Sequence, residues 1–452
     1  MAETEGTRKE VLERKRVVME EVTISSSWSV PVSGTCSAPL RGDSTKEWLI
    51  SITNESTKKI SATKPGVCKA PEFLRKDEKN AKSFEPEVVA IGPYHRGKTH
   101  LQPAEDHKRA AAHKFTLGSK HCIDEFYSKV KNEATRARAC YADKFELMTD
   151  EEFTQMLFFD GCFVLHFISC YVEGDMKEVT MSTHLHGFIV RDMFLLENQL
   201  PYVVLYALMS LKSVKLDDFF NKIIGTVSIQ SFSDPKEPSY HHLLDRLREK
   251  LLGPTKDPRQ PVQLGPEDLH LFRSVKELRE VGIKFRQSNS LYLRDIQFRP
   301  CAVWGTLSLP KIVIDDLARS RFLNMIALEM YLGSAGDYGI TSFVWFLDCL
   351  IDRAEDVREL REEGILLNAL GSDEQVAELF NELATNLAPD YRAYGDVLKG
   401  IRQHRDSKFK VSIYTFLHTH FSSPWTAIAF IAAVFLLVLS VIQTIFAVFP
   451  RS

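Results

Sequence analysis

The chain has 452 residues, 44% of them hydrophobic and 26% charged, with a formal net charge of −3 at pH 7. Those are globular proportions, and the length allows one large domain or two modest ones. A near-neutral balance argues against nucleic acid as the main partner, because backbone binding needs clustered positive charge. The eight cysteines (Cys36, Cys68, Cys122, Cys140, Cys162, Cys170, Cys301 and Cys349) are scattered with no C-x-x-C, which gives neither a zinc ribbon nor a thioredoxin-like pair. Several lie in apolar runs, where a reduced thiol behaves as a small hydrophobe, so a reducing compartment is favoured.

Residues 1–45 read as a mobile arm, with alternating charge through Arg8–Glu21 and then Ser, Pro and Gly from Ser25 to Ser44. Met1–Glu21 has no apolar core of the kind a secretory signal needs. Trp48-Leu49-Ile50 begins the ordered part, and a mostly helical domain is expected over 46–421. Val88–Ile91 has strand composition and runs into Gly92-Pro93-Tyr94-His95. A helix is predicted over Glu105–Phe115, opened by Pro103 and acids. The next, Glu151–Tyr171, is apolar around most of its circumference and so is expected at the centre of the core, with Asp150 as its cap. Val190–Met209 must break near Pro201, which cannot donate a helical hydrogen bond.

Residues 252–268 hold Pro254, Pro258, Pro261 and Pro266 and mark a candidate subdomain boundary. Ser274-x-x-Glu277 is a capping box and Gly282 a natural stop. The runs Ile283–Arg286, Leu291–Phe298, Val303–Leu309 and Lys311–Ile314 predict a small antiparallel sheet. Helices resume at Asp315–Tyr331, Thr341–Asp352 and Ser372–Asn386, the last opened by a second capping box, Ser372-x-x-Gln375. The fold class is therefore mainly α, with one small β element.

The chain closes on Trp425–Phe449, a run without Asp, Glu, Lys or Arg. As a helix it measures roughly 37 Å at about 1.5 Å per residue, against a hydrocarbon core of about 30 Å. A transmembrane helix is expected over 425–449. Arg402, Arg405, Lys408 and Lys410 precede it and Arg451 alone follows, so the positive-inside rule places the large domain in the cytosol, as a tail-anchored protein. The sequon Asn54-Glu55-Ser56 would be idle there. Composition does not distinguish the plasma membrane from an endomembrane.

Among motifs with chemical content, Gly92-Pro93-Tyr94-His95-Arg96-Gly97-Lys98-Thr99 matches the P-loop pattern G-x-x-x-x-G-K-[ST]. In a true P-loop, Lys98 would meet phosphate oxygens and Thr99 a magnesium ion, at the start of a long helix. Pro103 follows too soon for that helix, Pro93 removes an amide from the cradle, and no strand ending in Asp stands as a partner. A strand followed by a turn explains the letters better, and mant-ATP binding abolished by Lys98→Ala would decide for a nucleotide switch.

Cys162 and His166 share a helix face, the proximity a Cys–His nucleophile needs, but Leu157, Phe158, Phe159, Phe163, Leu165 and Phe167 surround them as core residues do. Asp160 in so apolar a segment must pair or cap something, and a buried ion pair is expected there. His184-Leu185-His186 and His241-His242 lack the further ligands of a metal site. Glu197, Asn198 and Gln199, before the Pro201 break, are expected to satisfy loose backbone groups. No catalytic residue, metal ligand or cofactor site is assigned; Lys98 and Thr99 remain the only candidates for a bound cofactor.

These stretches together resemble the plant domain-of-unknown-function 247 family. The resemblance is carried by Phe84-Glu85-Pro86, Val88–His95, Glu105–Lys108, Ala139-Cys140-Tyr141, Phe153–Phe163 and Asp192–Pro201. It continues through Glu277–Phe285, Asn324–Glu329, Ala354–Val357 and Leu370–Ala377, and departs at Val67-Cys68-Lys69-Ala70-Pro71, where a Val-Pro is common. It implies a mostly helical domain with a C-terminal membrane span and no established catalytic residues. Some grass members look like pollen-side determinants of self-incompatibility. The expectation is a single-span plant membrane protein that binds another protein, of unknown identity and oligomeric state, with a nucleotide switch or a Cys162 hydrolase as rivals.

Overall fold

A computed structural model describes residues 66–225, 241–254, 274–331, 337–385, 387–407 and 424–448. The N-terminal arm, Trp48–Ile50, the Asn54 sequon, residues 255–268 of the Pro-rich boundary, Asn386, Lys408, Lys410, Phe449 and Arg451 lie outside the described residues. Everything described belongs to one unit that begins at Gly66.

Among the described residues the chain is mainly helical, with five short strands. In order the helices are α1 (Glu78–Lys82), α2 (Pro103–Thr116), α3 (Ile123–Ala139), α4 (Asp150–Glu173), α5 (His186–Asp192), α6 (Tyr202–Met209), α7 (Leu216–Ile224) and α8 (Leu243–Leu252). They continue as α9 (Val275–Glu280), α10 (Ala318–Tyr331), α11 (Gly339–Leu350), α12 (Ala354–Glu362), α13 (Asp373–Leu383), α14 (Gly395–Asp406) and α15 (Pro424–Val448).

The first half is built around α4. Its N-terminus is a reciprocal capping box in which Thr149 Oγ1 accepts from the Glu152 N–H and Glu152 accepts from the Thr149 N–H. The cap is thus Thr149, one residue before the expected Asp150. Gly174, at φ 78°, ends the helix. α2 lies along α4, with α3, α6 and α7 on its other sides. Gly161 lets α6 approach, since a Cβ there would stand 2.6 Å from Leu208 Cδ1. Although α4 is long and apolar enough to cross a membrane, 67% of its apolar window is buried, as in a core helix.

The second half packs α10 against α8, α11 and α13, with α12 between α9 and α13. The expected β element forms, with one difference. β2 (Gln297–Pro300) runs antiparallel to β3 (Gly305–Leu309), but β1 (Ile283–Gln287) joins β3 in parallel, giving the order β1-β3-β2. β4 (Ile312–Ile314) pairs in parallel with β5 (Leu366–Asn368). The alternation Ile283, Phe285 in, Lys284, Arg286 out was readable, but alternation does not say which strand lies beside which.

Val88–Ile91 is not a strand. It runs without strand partners, and side chains from elsewhere bind its backbone, as described next. α15 occupies the expected apolar run to within one residue at either end, and its side chains described from Ile428 to Ile445 are exposed.

Candidate functional site

The residues Asp192–Pro201 end α5, cross to α6 and carry four buried polar side chains, of which Asp192, Glu197 and Asn198 bind the segment 67–92. Pro201 has no N–H to lose and opens α6, so the chain must leave helical geometry before it. The Asp192 carboxylate accepts three successive N–H groups, from Glu87 (3.1 Å), Val88 (2.8 Å) and Val89 (3.0 Å). Asn198 Oδ1 accepts from the Ile91 N–H at 2.7 Å, while its Nδ2 donates to Val89 and Asp192 carbonyls, each at 2.9 Å. Gln199 Nε2 donates to the carbonyls of Met193 and Leu195, each at 2.8 Å. A buried N–H costs about 1–3 kcal/mol when left unpaired, so Asp192 and Asn198 replace the neighbouring strand that the apolar run 88–91 lacks, while Gln199 ties up the loop's own carbonyls.

Asp160 continues the series. It accepts from the Gly92 N–H at 2.8 Å and pairs with Lys108 at 2.7 Å, both side chains nearly inaccessible to water. Burial pushes the Asp160 carboxyl up, and Lys108 with the Gly92 N–H pulls it back. Gly92 itself has φ 79°, and a Cβ there would stand 2.7 Å from the Gln199 carbonyl oxygen. The Gly-Pro-Tyr-His run is therefore shaped by what it packs against.

The P-loop letters sit just beyond. The Gly92 N–H is taken by Asp160, Pro93 has none, and the Lys98 N–H donates to the His95 carbonyl. Lys98 Nζ pairs with Glu85, and Thr99 starts a single 3-10 turn, Thr99–Leu101, before Pro103 opens α2. No helix longer than that turn begins at Lys98-Thr99.

A cluster of charges surrounds His95. Its ring is 3% exposed and makes no hydrogen bond, with Nδ1 3.5 Å from Glu85 Oε2 and Nε2 3.6 Å from Glu197 Oε2. Arg75 pairs with both carboxylates, and Glu197 also accepts from the Ala70 N–H at 2.7 Å. Two acids are thus offset by Arg75 and Lys98, leaving His95 neutral. Burial, reinforced by Lys98 and opposed by Glu85, pushes its pKa down to about 4. This cluster was not legible in the sequence; its one signal was Glu85 between Phe84 and Pro86, an acid in an otherwise apolar turn.

Cys162 and His166 do not pair. Cys162 is fully buried and burial raises its thiol pKa well above the ordinary range, while His166 lies 3.7 Å from Cys170 Sγ. His186 bonds the Met181 carbonyl, His242 Nδ1 accepts from the Asp245 N–H at the start of α8, and His184 and His241 are exposed. Among the described residues no group of three or more His, Cys, Asp or Glu side chains could hold a metal ion.

Two further buried cross-links come from α10. Asn324 accepts from the Leu196 N–H at 2.7 Å and donates to the Ser83 carbonyl at 2.8 Å. Glu329 accepts from Arg248 Nε and from the Ile340 and Thr341 N–H groups, each at 2.8 Å. Away from these, a shallow groove of about 440 Å³ lies on the outer side of α2, α3 and α4, lined by Arg109, Ile123, Tyr127, Gln155 and Phe159 among others.

The polar residues that are most distinctive in the sequence thus sit at cross-links between distant segments. No solved structure matches the chain at a significant level. The chain is similar to the UPF0481 protein At3g47200 of Arabidopsis thaliana, 29% identical over 408 residues covering 82% of this chain and 83% of that protein. It is also similar to the putative UPF0481 protein At3g02645 of the same plant, 22% identical over 93% of this chain and 94% of that protein. The profile of DUF247, described as plant proteins of unknown function, matches residues 67–439. The chain belongs to that family.

Proposed function

We propose that this is a plant membrane protein, anchored by α15 with its helical domain on the cytosolic side, that works by binding another protein. The observation that carries the anchor is α15 itself: a helix with mean hydropathy 2.7 over Ile428–Ile445, none of that window buried. A soluble protein would leave that much apolar surface in water at a cost of about 25 cal/mol per Å². Arg402 and Arg405 on its N-terminal side support the cytosolic orientation. Binding rather than catalysis is supported by how the buried polar groups are used. Asp160, Asp192, Glu197, Asn198, Asn324 and Glu329 all hold backbone groups or ion pairs. A grass-type recognition role in self-incompatibility would be one form of this function.

Proximity labelling from a full-length fusion in plant cells, beside a chain ending before Ser422, tests the reading. Specific neighbours that vanish with α15 are expected. Absence of specific neighbours from both would overturn it, and protease protection of the helical domain in intact vesicles would overturn the orientation.

A further inference from the structure

The outward face of the β1-β3-β2 sheet is a cationic platform. Cross-strand register sets Lys284, Thr306 and Arg299 in one row and Arg286, Ser308 and Gln297 in the next, all pointing away from the buried Ile283, Phe285 and Leu307. Neither row contains an acid, and none of the three cations forms an ion pair among the described residues. At one end of this face the β2–β3 hairpin closes through Cys301–Trp304, with the Cys301 N–H donating to the Trp304 carbonyl at 2.8 Å. Between Pro300 and Gly305 the tip carries no charge. Trp304 is 41% exposed, and Lys284 Nζ sits 4.5 Å above its ring.

The route of the chain gives this face its occupant. α14 packs on the opposite, buried side of the sheet, Gly400 against Phe298 and His404 against Gly305. His404 Nε2 also lies 3.2 Å from the Val281 carbonyl, so the last turn of α14 ends beside the hairpin tip. From there only residues 407–423 separate the sheet from α15. Seventeen residues reach at most about 60 Å when fully extended. The end of the domain that carries the tryptophan and the cations is therefore the end from which the chain leaves for the apolar helix.

We propose that this face docks on anionic lipid headgroups, with Lys284, Arg286 and Arg299 over the phosphates and Trp304 at the interface. The inference rests on the anchor reading and adds to it a fixed orientation of the helical domain on the membrane. Tryptophan favours the headgroup level, and each surface cation near an anionic leaflet is worth about fivefold in membrane partitioning. Three together amount to on the order of a hundredfold. An acidic peptide would suit the cations but would not require the apolar tip to lie where the chain departs for α15.

The test is hydrogen exchange of the full-length chain in vesicles of phosphatidylcholine alone or with phosphatidylserine. Amides 301–304 are expected to exchange at least several-fold more slowly on the anionic vesicles, with the difference erased by high salt. The variant Lys284→Glu/Arg286→Glu/Arg299→Glu should lose it, and Lys284→Gln/Arg286→Gln/Arg299→Gln should lose most of it should the charge reversal not fold. Equal exchange on both vesicles, with the chain inserted, would overturn docking and leave the anchor standing. Protection by an oligonucleotide but not by lipid would overturn it too. If the chain fails to float with either vesicle, the anchor fails; protection by added anionic vesicles would then still support the face, and its absence would overturn it.

Discussion

Lys108 and Asp160 meet at 2.7 Å inside the α2–α4 layer, so removing one charge strands the other. Lys108→Met should destabilise the fold by about 3–5 kcal/mol in denaturant titration, and Lys108→Met with Asp160→Asn by markedly less. His95 gives a pH signature. Its pKa falls from an ordinary 6.5 to about 4 in the folded chain, so between those values the unfolded chain binds the extra proton. Stability is full above pH 6.5 and is lost as pH falls, by about 2 kcal/mol at pH 5. His242, also pushed down to about 4 by burial, acts in the same direction. Burial pushes the Asp192 carboxyl up to about 6 despite the opposing pull of three N–H groups and Arg191, so between about pH 4 and 6 it holds a proton in the folded chain only and opposes the histidines. His95→Gln should therefore lower the slope of stability against pH in that window by about 1.4 kcal/mol per unit, measured by unfolding at a series of pH values. At this scale the sequence was legible where one residue implied one need. An Asp in an apolar helix called for a partner, and Glu197, Asn198 and Gln199 before a proline called for loose backbone to satisfy. It could not say that the partner was Lys108, or that the backbone lay a hundred residues upstream.

Among the elements, those with local signals came through. Ser274 and Ser372 accept from the Glu277 and Gln375 N–H groups at the starts of α9 and α13, and Pro201 breaks the chain between α5 and α6. α3 was not foreseen, because only Phe126, Val130 and Ala137 are buried along its 17 residues and charges dilute the stripe. Val88–Ile91 misled for the opposite reason: its composition is that of a strand, but its hydrogen bonds go to Asp192 and Asn198. Elements also depend on single side chains at their ends. Glu329 on α10 caps α11 through the Ile340 and Thr341 N–H groups while facing Arg248 of α8. Glu329→Gln keeps the shape but leaves Arg248, among the described residues, with only the half-exposed Asp337 to offset its charge. It is expected to cost about 3 kcal/mol in chemical denaturation, with the earliest loss of hydrogen-exchange protection at the start of α11.

For the whole molecule, the apolar run and the family were the clearest signals, and the packing of the two halves was the least. The Pro-rich stretch 252–268 suggested a boundary, and elements on either side of it pack together: α1 against α10, α8 against α10 and α11. Residues 1–254 expressed alone are accordingly expected to lack a cooperative unfolding transition, and to regain one when co-expressed with the remainder of the chain. A sharp transition of the fragment alone would show that the first half is self-sufficient.

The Asn324 cross-link also sets an order of events during synthesis. Ser83 offers its carbonyl, and Leu196 its N–H, long before the ribosome has made the amide that receives one and supplies the other, 241 residues after Ser83. Until then the nascent chain carries loop backbone without this partner beside hydrophobic helices that have not finished packing, a state that chaperones bind. Residue 324 is made only about a hundred residues before α15. Closure of the helical domain and emergence of the apolar helix therefore fall within seconds of each other at ordinary rates of about 5–20 residues per second. A nascent chain slow to close would present its unfinished core and its apolar helix to chaperones together.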